Sequence, residues 1–260
     1  MPDSREILTR PAPPPSRTVR YGPGAHEVYE VYAAADRDRA SSRPGVVLVH
    51  GGFWRSGYDR THLRPLATRL AADGWDVALL EYRGTGADGG GWPRTLDDVR
   101  AGLARVREEP GPLARPVLVG HSAGGHLAVC LLHRPEGAGL PGAVSLAGCL
   151  DLALVARLGL GEGAAVALLG GEPEEVPRVM AEADPVALGP APAPVVLVHG
   201  TEDDRVPLAV SYSWMEQVGA PGRDRLVELP GCGHFGVIDP DHPAYAEVLA
   251  AVESLAGGAR

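Results

Sequence analysis

From residue 26 onward the chain alternates two kinds of apolar pattern. Residues 46–50, 77–81, 117–120, 143–146 and 195–199 are short, nearly unbroken apolar runs bounded by glycine or proline. Runs of that length and composition suit strands buried on both faces. Between them, residues 62–72, 95–108, 123–133, 208–218 and 245–255 set apolar side chains at helical spacing. A last strand is expected at 226–229. Strands and helices in this alternation predict an α/β fold, with a mostly parallel central sheet and helices on both faces. Two stretches depart from the rhythm. In residues 1–25, Pro11, Pro13, Pro14 and Pro15 forbid a helix and favour extended geometry, which reads as a Pro-rich tail. Residues 151–194 hold about two helical segments and no convincing strand. They read as a short helical insertion over the C-terminal edge of the sheet, within a single domain spanning 26–260.

Composition narrows the chemistry. All 24 basic residues are arginine, and without a lysine there is no Walker-A loop, Schiff-base amine or Ser-Lys dyad. A formal charge of −9 argues against nucleic acid and for a small-molecule partner. Cys130, Cys149 and Cys232 lack zinc-type spacing and are odd in number, so neither a disulfide framework nor a metal site is expected. No apolar run reaches the roughly 20 residues of a membrane span. The charged N-terminal stretch is unlike a signal peptide, and a cytoplasmic location away from membranes is expected.

The sharpest local signal is Gly120-His121-Ser122-Ala123-Gly124, between an expected strand and an expected helix. A strand-to-helix turn this tight tolerates only small neighbours, and it presents Ser122 at a helix N-terminus, where negative charge is favoured. A second glycine loop, His50-Gly51-Gly52-Phe53-Trp54, closes the 46–50 strand. It could offer the backbone N–H groups of Gly52 and Phe53 to an oxyanion, joined by that of Ala123. A nucleophilic serine needs a base. Of the histidines after Ser122, His126 and His133 lie in the helix that follows it and cannot reach back. His199 ends a buried strand and reads as a satisfied core residue. His242 sits in a Pro-flanked loop. His234, in the glycine-rich loop after the last strand, is the candidate base. For the orienting acid, Glu202, Asp203 and Asp204 compete in the loop after the 195–199 strand. Trp54 and Trp214 are candidates to line an aromatic pocket, although apolar packing explains Trp214 equally well.

These motifs resemble the α/β-hydrolase superfamily over residues 26–255. The oxyanion-type loop at 50–54, taken with the Gly-His-Ser-Ala-Gly-Gly-His-Leu-Ala run at 120–128, is similar to its kynurenine formamidase (arylformamidase) and carboxylesterase-like branch. The resemblance implies the α/β-hydrolase fold. It selects Asp203, because 199–207 matches the pattern His-Gly-x-x-Asp-x-x-Val-Pro, and it supports His234 through Gly-x-Gly-His-aromatic at 231–235. It further implies a serine hydrolase that cleaves a small ester or amide through an acyl-enzyme, with catalytic Ser122, Asp203 and His234 and no metal or organic cofactor. Trp54 would stack on an aromatic leaving group. A short-chain carboxylesterase, a prolyl-oligopeptidase-like peptidase, an acyltransferase and a non-catalytic binding protein of the same fold are the alternatives.

Overall fold

A computed structural model describes residues 5–36, 38, 40 and 43–257. Eight strands form one sheet: β1 (Arg17–Arg20), β2 (Val28–Tyr32), β3 (Val46–Val49), β4 (Val77–Leu80), β5 (Val117–His121), β6 (Ala143–Leu146), β7 (Val195–Gly200) and β8 (Arg225–Leu229). Their order is β1-β2-β4-β3-β5-β6-β7-β8. The β1–β2 and β2–β4 pairs are antiparallel and every other pair is parallel. Helices α1 (Arg64–Ala72), α2 (Arg94–Arg107), α3 (Ala123–Leu132), α4 (Leu152–Arg157), α5 (Leu160–Leu169), α6 (Pro177–Ala183), α7 (Pro185–Leu188), α8 (Ala209–Gln217) and α9 (Tyr245–Gly257) accompany the sheet, together with short 3₁₀ turns. The strand period of two divides the core between the faces. In β3, Val47 and Val49 join the cluster under α2, α3 and α8, whereas Val46 and Leu48 join the one under α1 and α9. No helix of the described residues is long and apolar enough to cross a membrane.

The N-terminal stretch departs from the tail expected of it. Arg5–Leu8 makes a 3₁₀ turn that buries Ile7 completely. Arg10 then forks onto Asp239 at 2.6 and 2.9 Å, with Asp241 at 3.1 Å, and β1 adds an antiparallel edge to the sheet. Proline forbids a helix here but is compatible with an extended edge segment. The structure also adds β2, a strand with buried Glu30 at its centre. That carboxylate accepts from Arg60, Arg64 and the Tyr32 hydroxyl, so the charge is paired where it is buried.

Residues 152–188 carry α4 to α7. Asp151 caps α4 by accepting from the Leu154 N–H, and Asp184 caps α7 by accepting from the Val186 N–H. Trp214 is fully buried in the core under this region.

Candidate active site

The turn after β5 holds Ser122 at φ 55°, ψ −119°, a conformation that costs a non-glycine residue about 1–3 kcal/mol. Two glycines make it possible by letting backbone meet backbone. A Cβ on Gly120 would lie 2.1 Å from the Gly124 carbonyl oxygen, and one on Gly124 would lie 2.1 Å from that of Val49. The Ser122 N–H donates to the Leu146 carbonyl at 2.8 Å, which ties the turn to β6. Although Ser122 is only 2% exposed, it lines a cleft of about 100 Å³ together with Gly52, Phe53 and His234. Behind it sits Cys149, whose thiol is pushed up to about 12 by burial, with the Ser122 hydroxyl hydrogen-bonding to it in partial opposition.

The loop after β3 supplies the facing wall. Gly52, Phe53 and Trp54 all adopt positive φ, at 114°, 51° and 56°. Gly52 has no alternative, since a Cβ there would meet the Tyr58 Cβ at 2.3 Å. Among the described residues, no backbone carbonyl accepts from the N–H groups of Gly52, Phe53 or Ala123. These donors are therefore available to a negative oxygen near Ser122. The loop is held from behind by His50, which bonds the Gly51 carbonyl at 2.7 Å and Glu81 at 2.7 Å and stacks on Tyr82. Burial works to raise the Glu81 carboxyl, but His50 beside it and the N–H groups of Arg60 and Tyr82 hold it at about 2.

On the opposite side the His234 Nδ1–H donates to Asp203 Oδ2 at 2.7 Å. Asp203 Oδ1 accepts from the N–H groups of Arg205 and Val206, both at 2.8 Å. Burial opposes the charge on Asp203, yet His199, His234 and the Val206 N–H overcome it and hold the carboxyl at about 2. Asp204 points outward, and among the described residues its ion-pair partner is Arg205 at 3.5 Å. Of Glu202, Asp203 and Asp204, Asp203 is the one that the structure brings to His234. His121 braces His234, its Nε2–H donating to the His234 carbonyl at 3.1 Å. Burial, with His234 and His62 nearby, keeps that ring neutral by lowering it well below its ordinary range.

His199 and His242 have partners of their own. His199 bonds Ser211 at 2.7 Å and the Val206 carbonyl at 2.8 Å, with Asp203 at 3.2 Å. His242 accepts from the Ala244 N–H at 3.1 Å. Trp54 corrects the sequence reading. It is fully buried, and its Nε1–H donates to His126 Nδ1 at 3.2 Å, so it takes no part in the cleft. The two successive positive-φ residues turn Phe53 toward the cleft and send Trp54 into the core. Sequence reasoning missed Arg5, Leu8, Tyr58 and His62, which also line the cleft. Tyr58 and His62 follow closely on the 50–54 loop and could have been suspected. Nothing local marks Arg5 or Leu8.

Comparison with known proteins agrees with this geometry. Residues 46–248 match the profile of the alpha/beta hydrolase family. The chain is 27% identical over 246 residues to esterase LipC of Mycobacterium tuberculosis, covering 86% of this chain and 60% of that protein. It is also 27% identical over 261 residues to the probable isoprenylcysteine alpha-carbonyl methylesterase ICME of Oryza sativa subsp. japonica, covering 86% and 58%. The chain thus spans about 60% of the length of these curated relatives. Among solved structures, native Est2 esterase from Thermogutta terrifontis superposes with a TM-score of 0.70 at 24% identity, covering 95% of both chains. Esterase B from Lactobacillus Rhamnosis gives 0.76 at 19% identity, covering 97% and 90%. With a family profile spanning most of its length, the mixed sheet in this strand order and a strained serine at the β5–α3 turn, the chain belongs to the alpha/beta hydrolase family.

Proposed function

We propose that the protein is a serine hydrolase of small carboxylic esters. One arrangement carries the reading: a His–Asp pair at 2.7 Å and a strained serine share a cleft with N–H donors that no described carbonyl occupies. In the proposed reaction His234 takes the Ser122 proton as Oγ attacks the acyl carbon. Asp203 holds the ring proton on Nδ1 and stabilises the imidazolium. The oxyanion collects the N–H groups of Gly52, Phe53 and Ala123. His234 then returns the proton to the departing alcohol, and the same base activates water against the acyl-enzyme.

Cleft size supports short acyl groups. An apolar cavity of about 150 Å³ holds a benzene ring, and this cleft is nearer 100 Å³. The Thermogutta terrifontis esterase was also solved with propionate bound, in a structure matching at 25% identity and a TM-score of 0.66 over 87% of both chains. A formyl group fits the same space, which makes cleavage of an aryl formamide the second reading. It ranks below the ester because Trp54, which was to stack on the aromatic leaving group, is turned into the core.

The test is a series of p-nitrophenyl esters from acetate to octanoate, run beside N-formylkynurenine. Turnover of the acetate is expected to exceed that of the octanoate steeply, since each excluded methylene is worth about 1–3 kcal/mol. Ser122→Ala should fold and lose on the order of 10⁴–10⁶ in kcat, together with labelling by a fluorophosphonate probe. Activity within tenfold of wild type in that variant would end the serine mechanism. Efficient cleavage of N-formylkynurenine without ester activity would move the assignment to the formamide.

A further inference from the structure

We propose that the mouth of this cleft is a carboxylate subsite formed by Arg5 and Arg205, so that the preferred ester carries a second, anionic group. The inference rests on the ester-hydrolase reading and adds a substrate class to it. Two of the residues lining the cleft are arginines and none is aspartate or glutamate, in a chain whose formal charge is −9. The Asp203 carboxylate lies buried behind His234 with both oxygens already accepting hydrogen bonds.

Neither guanidinium is committed elsewhere. Among the described residues Arg5 makes no ion pair and its side chain no hydrogen bond, and it stands exposed. Among the described residues the Arg205 side chain has only Asp204, 3.5 Å from its Nε, and Asp204 is 72% exposed. An ion pair of that length in solvent holds an arginine weakly. No described acceptor meets the terminal amino groups of Arg205, which are the ones that can fork onto a carboxylate.

Both arginines are nevertheless carried on anchored backbone. The Arg205 N–H donates to Asp203 at 2.8 Å, two residues from the acid that holds His234. Arg5 opens the 3₁₀ turn that Ile7 buries and that Arg10 fastens to Asp239. Two positions 200 residues apart in sequence are thereby brought to one opening. The remaining wall includes Leu8, Phe53 and Phe235. An apolar wall beside the guanidinium groups lowers the local dielectric and strengthens their attraction for an anion. An isolated surface arginine would have neither the anchoring nor the apolar wall.

The experiment compares kcat/KM for matched esters that differ in charge. On the leaving-group side the pair is 4-acetoxybenzoate and 4-acetoxybenzamide. On the acyl side it is mono-4-nitrophenyl glutarate and 4-nitrophenyl pentanoate. In at least one pair the charged member is expected to be favoured about tenfold, with the advantage shrinking as salt is raised. The Arg5→Gln/Arg205→Gln double variant should lower the charged-to-neutral ratio at least tenfold. Because it is a ratio within one preparation, damage common to both substrates cancels. Wild-type ratios at or below one in both pairs, or ratios unmoved by the double variant, overturn the proposal. A larger gain for 4-acetoxyphenyl phosphate than for 4-acetoxybenzoate reassigns the mouth to phosphate and also overturns it. Calorimetry on Ser122→Ala provides a readout independent of turnover, with 4-hydroxybenzoate expected to bind at least tenfold tighter than 4-hydroxybenzamide. Carboxylate binding without cleavage of any ester keeps the subsite and refutes the hydrolase reading. Cleavage of neutral esters without either charge preference does the reverse.

Discussion

Replacing Asp203 by asparagine sets a conflict that the structure makes easy to follow. The carboxylate meets donors on both oxygens: the N–H groups of Arg205 and Val206 at one, and the His234 ring at the other. Asparagine has one accepting oxygen and one donating amide. If the oxygen keeps the two backbone N–H groups, the amide turns to His234 Nδ1 and requires a lone pair there. The ring proton then moves to Nε2, the atom that has to receive the Ser122 proton. The reverse orientation presses an amide against two backbone donors held at 2.8 Å, whereas an imidazole changes tautomer easily. Asp203→Asn should therefore keep the fold and lose about 10⁴ in kcat, or about 5.5 kcal/mol of transition-state stabilisation. It should also lose stability. A carboxyl held at about 2 instead of 3.8 contributes about 2 kcal/mol above the unfolded value, and that contribution disappears as the pH falls toward 2. Asp204→Asn touches only an exposed pair and should stay within about threefold of wild type. Hydrolysis of p-nitrophenyl acetate, with urea unfolding at pH 7 on the same samples, measures both effects. Activity within tenfold of wild type in Asp203→Asn, or a greater loss in Asp204→Asn, would refute the reasoning.

Two further outcomes test the structure away from the nucleophile. Asp184 is raised to about 6 by burial, only partly offset by the N–H groups of Leu152 and Val186. Its native form keeps a proton that the unfolded chain has already released, so this group costs stability as pH rises from about 4 to 6. Buried His62 and His126, both lowered to about 4, push stability the opposite way in that window, but equally in any Asp184 variant. Relative to wild type, Asp184→Asn should hence gain about 3 kcal/mol between pH 4 and 6; denaturant titrations across that range with a constant difference would contradict the assignment. Trp54→Phe should cost about 2–3 kcal/mol through lost packing and an unsatisfied His126 Nδ1. It should leave KM for aryl esters within twofold, and a large rise in KM would return Trp54 to the cleft.

The parallel strands from β3 to β7 were legible because each is a short apolar run with its own boundaries, and a sheet covered on both faces leaves that mark. β2 was not, because Glu30 interrupts it and is paired there chiefly by Arg60 and Arg64, which arrive from a distant segment. β1 was hidden for another reason. Its burial is partial and its neighbours are prolines, so only pairing with β2 defines it. Within the candidate site, the tight turn at Ser122 and the loop that carries His234 were suggested by local glycine patterns that have steric meaning. That His234 meets Asp203 and not Asp204 was suggested only by resemblance, since it depends on a turn in which the Asp203 side chain accepts from the residues two and three ahead. The fate of Trp54 depended on two consecutive positive-φ residues, one of them Phe53, which no propensity would suggest. The part played by Arg5 and Leu8 is purely tertiary.

The contact of Gly124 with the Val49 carbonyl, and of Gly120 with that of Gly124, bears on how such a protein can change over generations. At Gly124 the Ser122 turn and the end of β3 meet through main-chain atoms. A substitution in either apolar layer shifts β3 and β5 as neighbours in one sheet, and the reacting groups shift with them. Arg5, Leu8, Tyr58 and Arg205 also line the cleft, and none of them belongs to that main-chain contact. Selection can exchange those four residues one at a time and reshape the cleft, while the spacing of Ser122 from the loop after β3 stays where the backbone has set it.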